Sequence, residues 1–291
     1  MNLTIISYGG GIQSTAMLIL AAQGTIPNVT AAVFANTGDD SENPATLDYL
    51  NTHARPYATA HDIPIIEVQR EPWPTGDPKT LLSYLDAYNG CQACGTGPED
   101  DCVPDCPSTN NTGGDLPIPM KLTPSGAPVQ RSCTNHWKIE PIRRWLIEHG
   151  ATPTNPATIL IGISIDEIHR ATNKPRHPAE QAQYPLLDLH ISRQDCTRII
   201  VEAGLPTPPK STCWFCPFHP ERSWSERRST DPATYWRAVE LEEQLNRQRQ
   251  RRHLQPVQFL TKKPLRAVDL PQPTLFDDFD AGSCDDGYCW T

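Results

Sequence analysis

The chain reads as an α/β protein built on a doubly wound parallel sheet, and three observations carry that expectation. Short apolar runs alternate with helical stretches through the first 69 residues; the first run breaks into three consecutive glycines before a helix; and another apolar run, residues 158–163, follows a helical stretch over 135–149. Strands that are apolar along their whole length and are separated by helices belong to a sheet covered on both faces.

Leu3, Thr4, Ile5 and Ile6 form the first strand, and the helix after the glycines runs through Leu20. Residues 29–35 are the second strand, 43–61 a helix, and 63–68 the third strand. The segment 71–130 is rich in Pro, Gly, Asn and Asp, and its only helical periodicity lies at 81–88. So long a connection in a compact domain is usually functional. Further helices are expected near 192–203 and over 232–253. The domain expectation is thus a nucleotide-binding α/β domain from 1–70 and 131–190, a Cys-rich insertion at 71–130, a Cys-bearing helical part at 191–266 and an acidic tail at 267–291.

Composition bounds the function classes. With 291 residues and 37% hydrophobic content, the chain can bury a real core. Its 30 prolines are about double average usage, yet 17 glycines keep it below the low-complexity range, which favours stiff loops over disorder. The net charge of −9 is uneven: residues 131–266 carry 21 basic and 14 acidic groups, whereas 1–130 carry 4 and 14. An anionic partner should therefore meet the later half. No charge precedes Asp39, but Gln13, Ser14, Gln23, Gly24, Pro27 and Asn28 interrupt the apolar run. Neither a signal peptide nor a membrane helix fits, so no membrane partner and a cytoplasmic location are expected. Ten cysteines in a reducing compartment point to metal or sulfur chemistry rather than disulfides.

The first strand-to-helix turn holds Ser7, Gly9, Gly10, Gly11, Gln13, Ser14 and Thr15. Bare glycine amides and a helix N-terminus suit phosphate oxygens, and Ser14 and Thr15 add hydroxyls. The turn is neither a P-loop nor the spaced dinucleotide fingerprint. It resembles the Ser-Gly-Gly-x-Asp-Ser motif of the PP-loop ATP pyrophosphatases: Gly10, Gly11 and Ser14 match, while Gly9 stands at the motif's Ser and Gln13 at its Asp. The implied fold is that of the adenine nucleotide α-hydrolases, the HUP-like class. Asn36, Thr37 and Gly38 resemble the Asp-Thr-Gly turn of the sulfonucleotide (phosphoadenosine phosphosulfate) reductase branch, with Asn36 in place of Asp. Gly162, Asp166, Glu167 and Arg170 resemble that branch's Gly-Ile-x-x-Asp-Glu-x-x-Arg segment. At the carboxyl edge of a sheet, Arg170 could fork to a phosphate, and Asp166 or Glu167 could hold Mg²⁺. The alternative for Glu167 and Arg170 is a surface ion pair worth at most about half a kcal/mol.

Cys213 and Cys216 form a C-x-x-C followed by proline, a shape of metal and iron–sulfur sites. With Cys133 and Cys196 they resemble the [4Fe–4S] ligands of the reductases and of the sulfur-transfer ATPases of DNA phosphorothioation; tetrathiolate Zn²⁺ stays open, since spacing does not separate the two. Cys91, Cys94, Cys102 and Cys106 lie within sixteen residues of the insertion and fit a small structural zinc site. Cys284 and Cys289 close the chain, with a disordered tail, a catalytic thiol and a metal ligand all open. Lys138, Arg143 and Arg144 open a helix, Arg222, Arg227 and Arg228 flank Trp224, and the stretch from Arg247 to Arg252 is strongly basic. Arg and Trp together suit phosphate contact and base stacking.

The resemblance covers 1–70 and 131–225 and implies an ATP pyrophosphatase, forming AMP and pyrophosphate with Mg²⁺. It would adenylate an acceptor, a nucleic acid, for sulfur transfer from a donor such as a cysteine desulfurase. DNA phosphorothioation is the first pathway implied and RNA thiolation the next. Reduction of adenylyl sulfate and a non-enzymatic nucleotide or nucleic-acid sensor are the alternatives. Lys138, Asp166, Glu167 and Arg170 are the expected catalytic set.

Overall fold

A computed structural model describes residues 3–71, 80–87, 116–172, 176–251 and 254–270. The expected zinc-site cysteines Cys91, Cys94, Cys102 and Cys106, and Cys284 and Cys289, lie outside these residues. The chain divides into two compact units, joined at residues 71–72, 133–134 and 213–214.

In the first unit, five parallel strands stand in the order β3-β2-β1-β5-β6: β1 (Thr4–Ser7), β2 (Ala31–Asn36), β3 (Ile65–Gln69), β5 (Ala157–Leu160) and β6 (Glu180–Gln183). Register is set on both sides of the central strand, with Ile5 opposite Ala31 and opposite Ile159. Alternate side chains leave opposite faces of a strand, so Ile6 and Phe34 enter one core and Ile5 and Val33 the other. The first core is completed by α1 (Ile12–Ala22), α7 (Arg193–Glu202) and the helix made of α2 (Pro44–Tyr49), a π-helical turn (Leu50–Ala54) and α3 (Arg55–Ala60). The second core is covered by α5 (Glu140–Glu148) through Ile142 and Leu146. Helices on both faces of a parallel sheet make it doubly wound, as expected.

One strand of this sheet was absent from the sequence expectation, as were the two short strands of the second unit, β4 (Lys121–Leu122) and β7 (Val257–Gln258). β6 reads Glu-Gln-Ala-Gln and carries no apolar signature because it is a sheet edge. It pairs with β5 over four residues, and Glu180 turns its buried carboxylate to Arg143 Nε at 2.5 Å. The unit boundary also differs from the expected one: α7 belongs with the sheet, and the chain crosses to the second unit only after Cys213.

The second unit combines the described parts of 72–133 with 214–270. It contains α4 (Leu81–Ala87), α8 (Glu221–Thr230), α9 (Pro232–Arg251) and a small antiparallel pair, β4 (Lys121–Leu122) with β7 (Val257–Gln258). The remaining helix, α6 (Pro185–Asp188), is a single turn after β6 in the first unit. The segment after α9 is tied down by side chains of that helix. Asn246 exchanges two bonds with the backbone of Val257, at 2.7 and 2.8 Å, and Tyr235 donates to the Leu265 carbonyl. Glu242 accepts the N–H groups of Phe259 at 2.7 Å and Leu265 at 2.9 Å.

Burial pushes the Glu242 carboxyl up from 4.5 to about 7, and the two N–H donors oppose the shift. The folded state thus holds this proton more tightly than the unfolded state. The stabilisation that protonation gives is complete below about pH 4.5 and is lost as pH rises through about 7. Between pH 4.5 and 8, wild-type stability should fall by about 3 kcal/mol more than that of Glu242→Gln. Urea melts of both proteins across that range check this; parallel curves contradict it.

Candidate active site

The carboxyl edge of the sheet gathers the glycine turn after β1, the Asn36 turn after β2, the Arg70 region after β3 and the Gly162 segment after β5. The order in which strands are added across the sheet reverses between β1 and β5, and crevices form outside the carboxyl ends of the strands at such a switch point. Two glycines let the backbone close there. At Gly162, a Cβ would stand 3.0 Å from that of Gln13 and 3.2 Å from Met17 Cε, so its lack of a side chain admits the first turn of α1. Gly10 has φ +78°, and a Cβ there would meet the Thr46 methyl at 2.8 Å. Gly9 is different: a Cβ on it would meet nothing within 4 Å. The space above Gly9 is open.

Gly11 caps α1, and Ser14 Oγ lies 3.2 Å from the Gly11 amide and 3.1 Å from its carbonyl. The amides of Gly9 and Gly10 meet no acceptor among the described residues. The first-turn amides of an α-helix likewise lack intrahelical partners. The turn is held from outside by Ser211, whose hydroxyl donates to the Gly9 carbonyl. Gln13 is buried, with its Oε1 3.3 Å from Arg193 Nη1. Thr15 departs from the expected phosphate role: it is fully buried and shares a 3.1 Å hydrogen bond with the Tyr8 hydroxyl. Ser7 is the last residue of β1, opposite Val33.

Asn36 is buried and fully engaged. Its Nδ2 donates to Asp39 at 2.7 Å and Glu67 at 2.8 Å, and its Oδ1 accepts the Gly38 amide at 2.8 Å. It shapes the turn. Thr37 donates to Glu42 at 2.8 Å and lies 3.5 Å from Cys213 Sγ, and Glu42 and Cys213 also form a backbone bridge. Neither Ser211 nor Glu42 was singled out from the sequence, because their roles depend on residues about 170 to 200 positions away.

The Asp-Glu-x-x-Arg segment separates into two functions. Asp166 is exposed; its Oδ2 accepts the Arg193 amide at 2.6 Å and the Ser164 hydroxyl at 3.3 Å. Glu167 and Arg170 form an ion pair at 2.8 Å with side-chain exposures of 11% and 3%. The pair is buried, so the surface-pair alternative does not hold. Lys138 lies in the π-helical turn (Asn135–Ile139) that precedes α5 and packs on β2. Because α5 runs back to the start of β5, that turn belongs to the carboxyl edge. Beside it, the buried Arg70 guanidinium covers the Trp137 ring at 4.5 Å.

Cys133, Cys196, Cys213 and Cys216 form no disulfide. Cys196 is fully buried in the apolar core beneath α1 and α7, where burial pushes its thiol up to about 12. In that core the thiol packs as a small apolar residue. Cys213 belongs to the first unit, and Cys133 and Cys216 to the second. Asp166, by contrast, is an exposed carboxylate at the carboxyl edge of the sheet.

In the second unit, the expected Trp224 stacking surface is corrected by its burial: Trp224 is fully buried against His219 and Phe259, and Arg227 covers its ring at 5.1 Å. Within the basic stretch, Arg247 is exposed, whereas Arg249 is buried with its Nε on the Gln255 carbonyl at 2.6 Å. Arg252 lies outside the described residues. Among the described residues no helix is long and apolar enough to cross a membrane.

The chain matches no family model, no curated protein and no solved structure. Its functional reading rests on the geometry of this edge.

Proposed function

We propose that the protein is an ATP pyrophosphatase that activates an acceptor oxygen by adenylation. The observation that carries this is the glycine turn at the switch point, with unpartnered Gly9 and Gly10 amides and open space over Gly9. Such amides hold phosphoryl oxygens, and they stabilise charge that builds on a leaving pyrophosphate. The acceptor oxygen attacks the α-phosphorus, the bond from that phosphorus to the α–β bridging oxygen breaks, and pyrophosphate leaves. A sulfide-level donor then attacks the activated centre and AMP departs with the former acceptor oxygen.

Ser14 can exchange its bonds to Gly11 for a phosphate oxygen, and Lys138 supplies positive charge from the turn before α5. Asp166 would hold Mg²⁺, which neutralises phosphate charge when bound. Glu167 and Arg170 position the loop that presents Asp166, and Asn36 fixes the turn after β2. A nucleic acid acceptor and DNA phosphorothioation remain the preferred pathway. No step is routed through an iron–sulfur cluster.

Phosphate release is the test. Protein with ATP and Mg²⁺, with water taking the acceptor's place at the α-phosphorus, should yield pyrophosphate and AMP, and Asp166→Asn should slow this by about 100-fold or more. ADP and orthophosphate as products would contradict the proposal. A second reading, nucleotide binding without turnover, is favoured by the engagement of Asp166 Oδ2 with Arg193 and Ser164. Tight ATP binding with no product would support it.

A further inference from the structure

In the second unit, Trp236 is 40% exposed, the one tryptophan among the described residues with so open a ring. Exposing an indole has a cost that a stacking partner would repay. Two guanidinium groups stand by it, Arg266 at 5.6 Å and Arg228 at 5.9 Å from the ring centre. Residues four, seven and eleven positions along a helix share a face, which places Glu240, Glu243 and Arg247 on the Trp236 side of α9. That stripe spans about 16 Å from Trp236 to Arg247. It runs into a groove of about 800 Å³ whose lining includes Asn246, Arg247, Gln250 and Arg266. Arg266 is common to both features and is also ion-paired with Glu243 at 2.6 Å. Three arginines serve the two features: Arg228 and Arg266 at the Trp236 ring, and Arg247 with Arg266 along the groove, which Glu243 and the buried Glu242 also line.

We infer that Trp236 and the adjoining groove form a binding platform for single-stranded nucleic acid, with an unpaired base stacked on the indole and phosphates along Arg266 and Arg247. An exposed indole with guanidinium groups loosely over its ring takes bases without regard to sequence, and phosphate contacts follow the backbone. A duplex keeps its bases stacked on each other and offers the indole nothing. The inference rests on the proposed function in assigning the acceptor's class, but it concerns binding alone.

Fluorescence anisotropy of the full chain with a labelled oligothymidine of roughly 20 nucleotides, without ATP, tests it. Wild type should bind the single strand more tightly than a duplex of equal length. Trp236→Ala should weaken binding by about tenfold, and Trp236→Phe should restore most of it. Arg247→Gln should reduce the salt slope by about one. Circular dichroism should report the same fold for all variants. Equal affinity of wild type and Trp236→Ala would overturn the inference, as would absence of binding. So would self-association of the chain that Trp236→Ala abolishes without any change in oligonucleotide affinity. The assay involves no turnover, so a failure to release pyrophosphate leaves this inference standing, and a failure here leaves the ATP reaction standing.

Discussion

Gly9→Val should abolish ATP binding while leaving the fold intact. A Cβ at Gly9 would meet no heavy atom within 4 Å, and the position is exposed, so the folded chain tolerates the new side chain. Stability should change by no more than about 0.5 kcal/mol, as for other exposed positions. The isopropyl group would instead occupy the space in which a phosphate would meet the Gly9 and Gly10 amides. Affinity for ATP, measured by calorimetry, should fall by about 100-fold or more, equivalent to about 3 kcal/mol. Unchanged affinity would remove the turn from the nucleotide site. Gly10→Val serves as the contrast: its positive φ and the Thr46 methyl 2.8 Å away make that substitution strained, so it should lower stability as well.

Arg170→Met should destabilise the first unit by about 3 to 5 kcal/mol. The variant keeps most of the side-chain length and removes the charge, leaving the Glu167 carboxylate buried without its ion-pair partner at 2.8 Å. Breaking one side of a buried pair costs far more than the pair contributes, because the orphaned charge retains its desolvation penalty. Urea denaturation with wild type as reference measures this. A loss under about 1 kcal/mol would mean that the pair is solvated and that Arg170 is available to a substrate phosphate. The combined variant Glu167→Gln, Arg170→Met should recover part of the loss, since no charge then remains buried.

Much of the sheet was legible because buried parallel strands carry continuous apolar runs. β1, β2 and β5 do so; β3, the other edge strand, still shows Ile65, Ile66 and Val68, and each of the four lay within two residues of its expected start. β6 was hidden because an edge strand needs only one paired side, and Glu-Gln-Ala-Gln meets that need through backbone bonds and the Arg143 contact. α8 was not expected either: its sequence is polar nearly throughout, and Trp224 alone carries its burial.

At the site, the glycine turn was readable because a tight strand-to-helix connection needs backbone freedom of the kind that Gly10 uses at φ +78°. What sequence alone did not separate is which polar groups face outward. Thr15 and Arg170 were expected near phosphate and are buried, and Trp224 was expected at a surface that Trp236 occupies instead. Neighbours distant in sequence decide those orientations: Tyr8 and Thr15 close across the start of α1, and Phe259 packs on Trp224 from thirty-five positions away.

The most direct measurement is ³¹P NMR of ATP and Mg²⁺ incubated with wild-type protein and with Gly9→Val. The account predicts that, with water taking the acceptor's place, AMP and pyrophosphate resonances grow with wild type and stay at background with the variant. Cleavage to ADP and orthophosphate, or equal turnover by both proteins, would contradict a nucleotide held by the glycine turn and cut between its α- and β-phosphates.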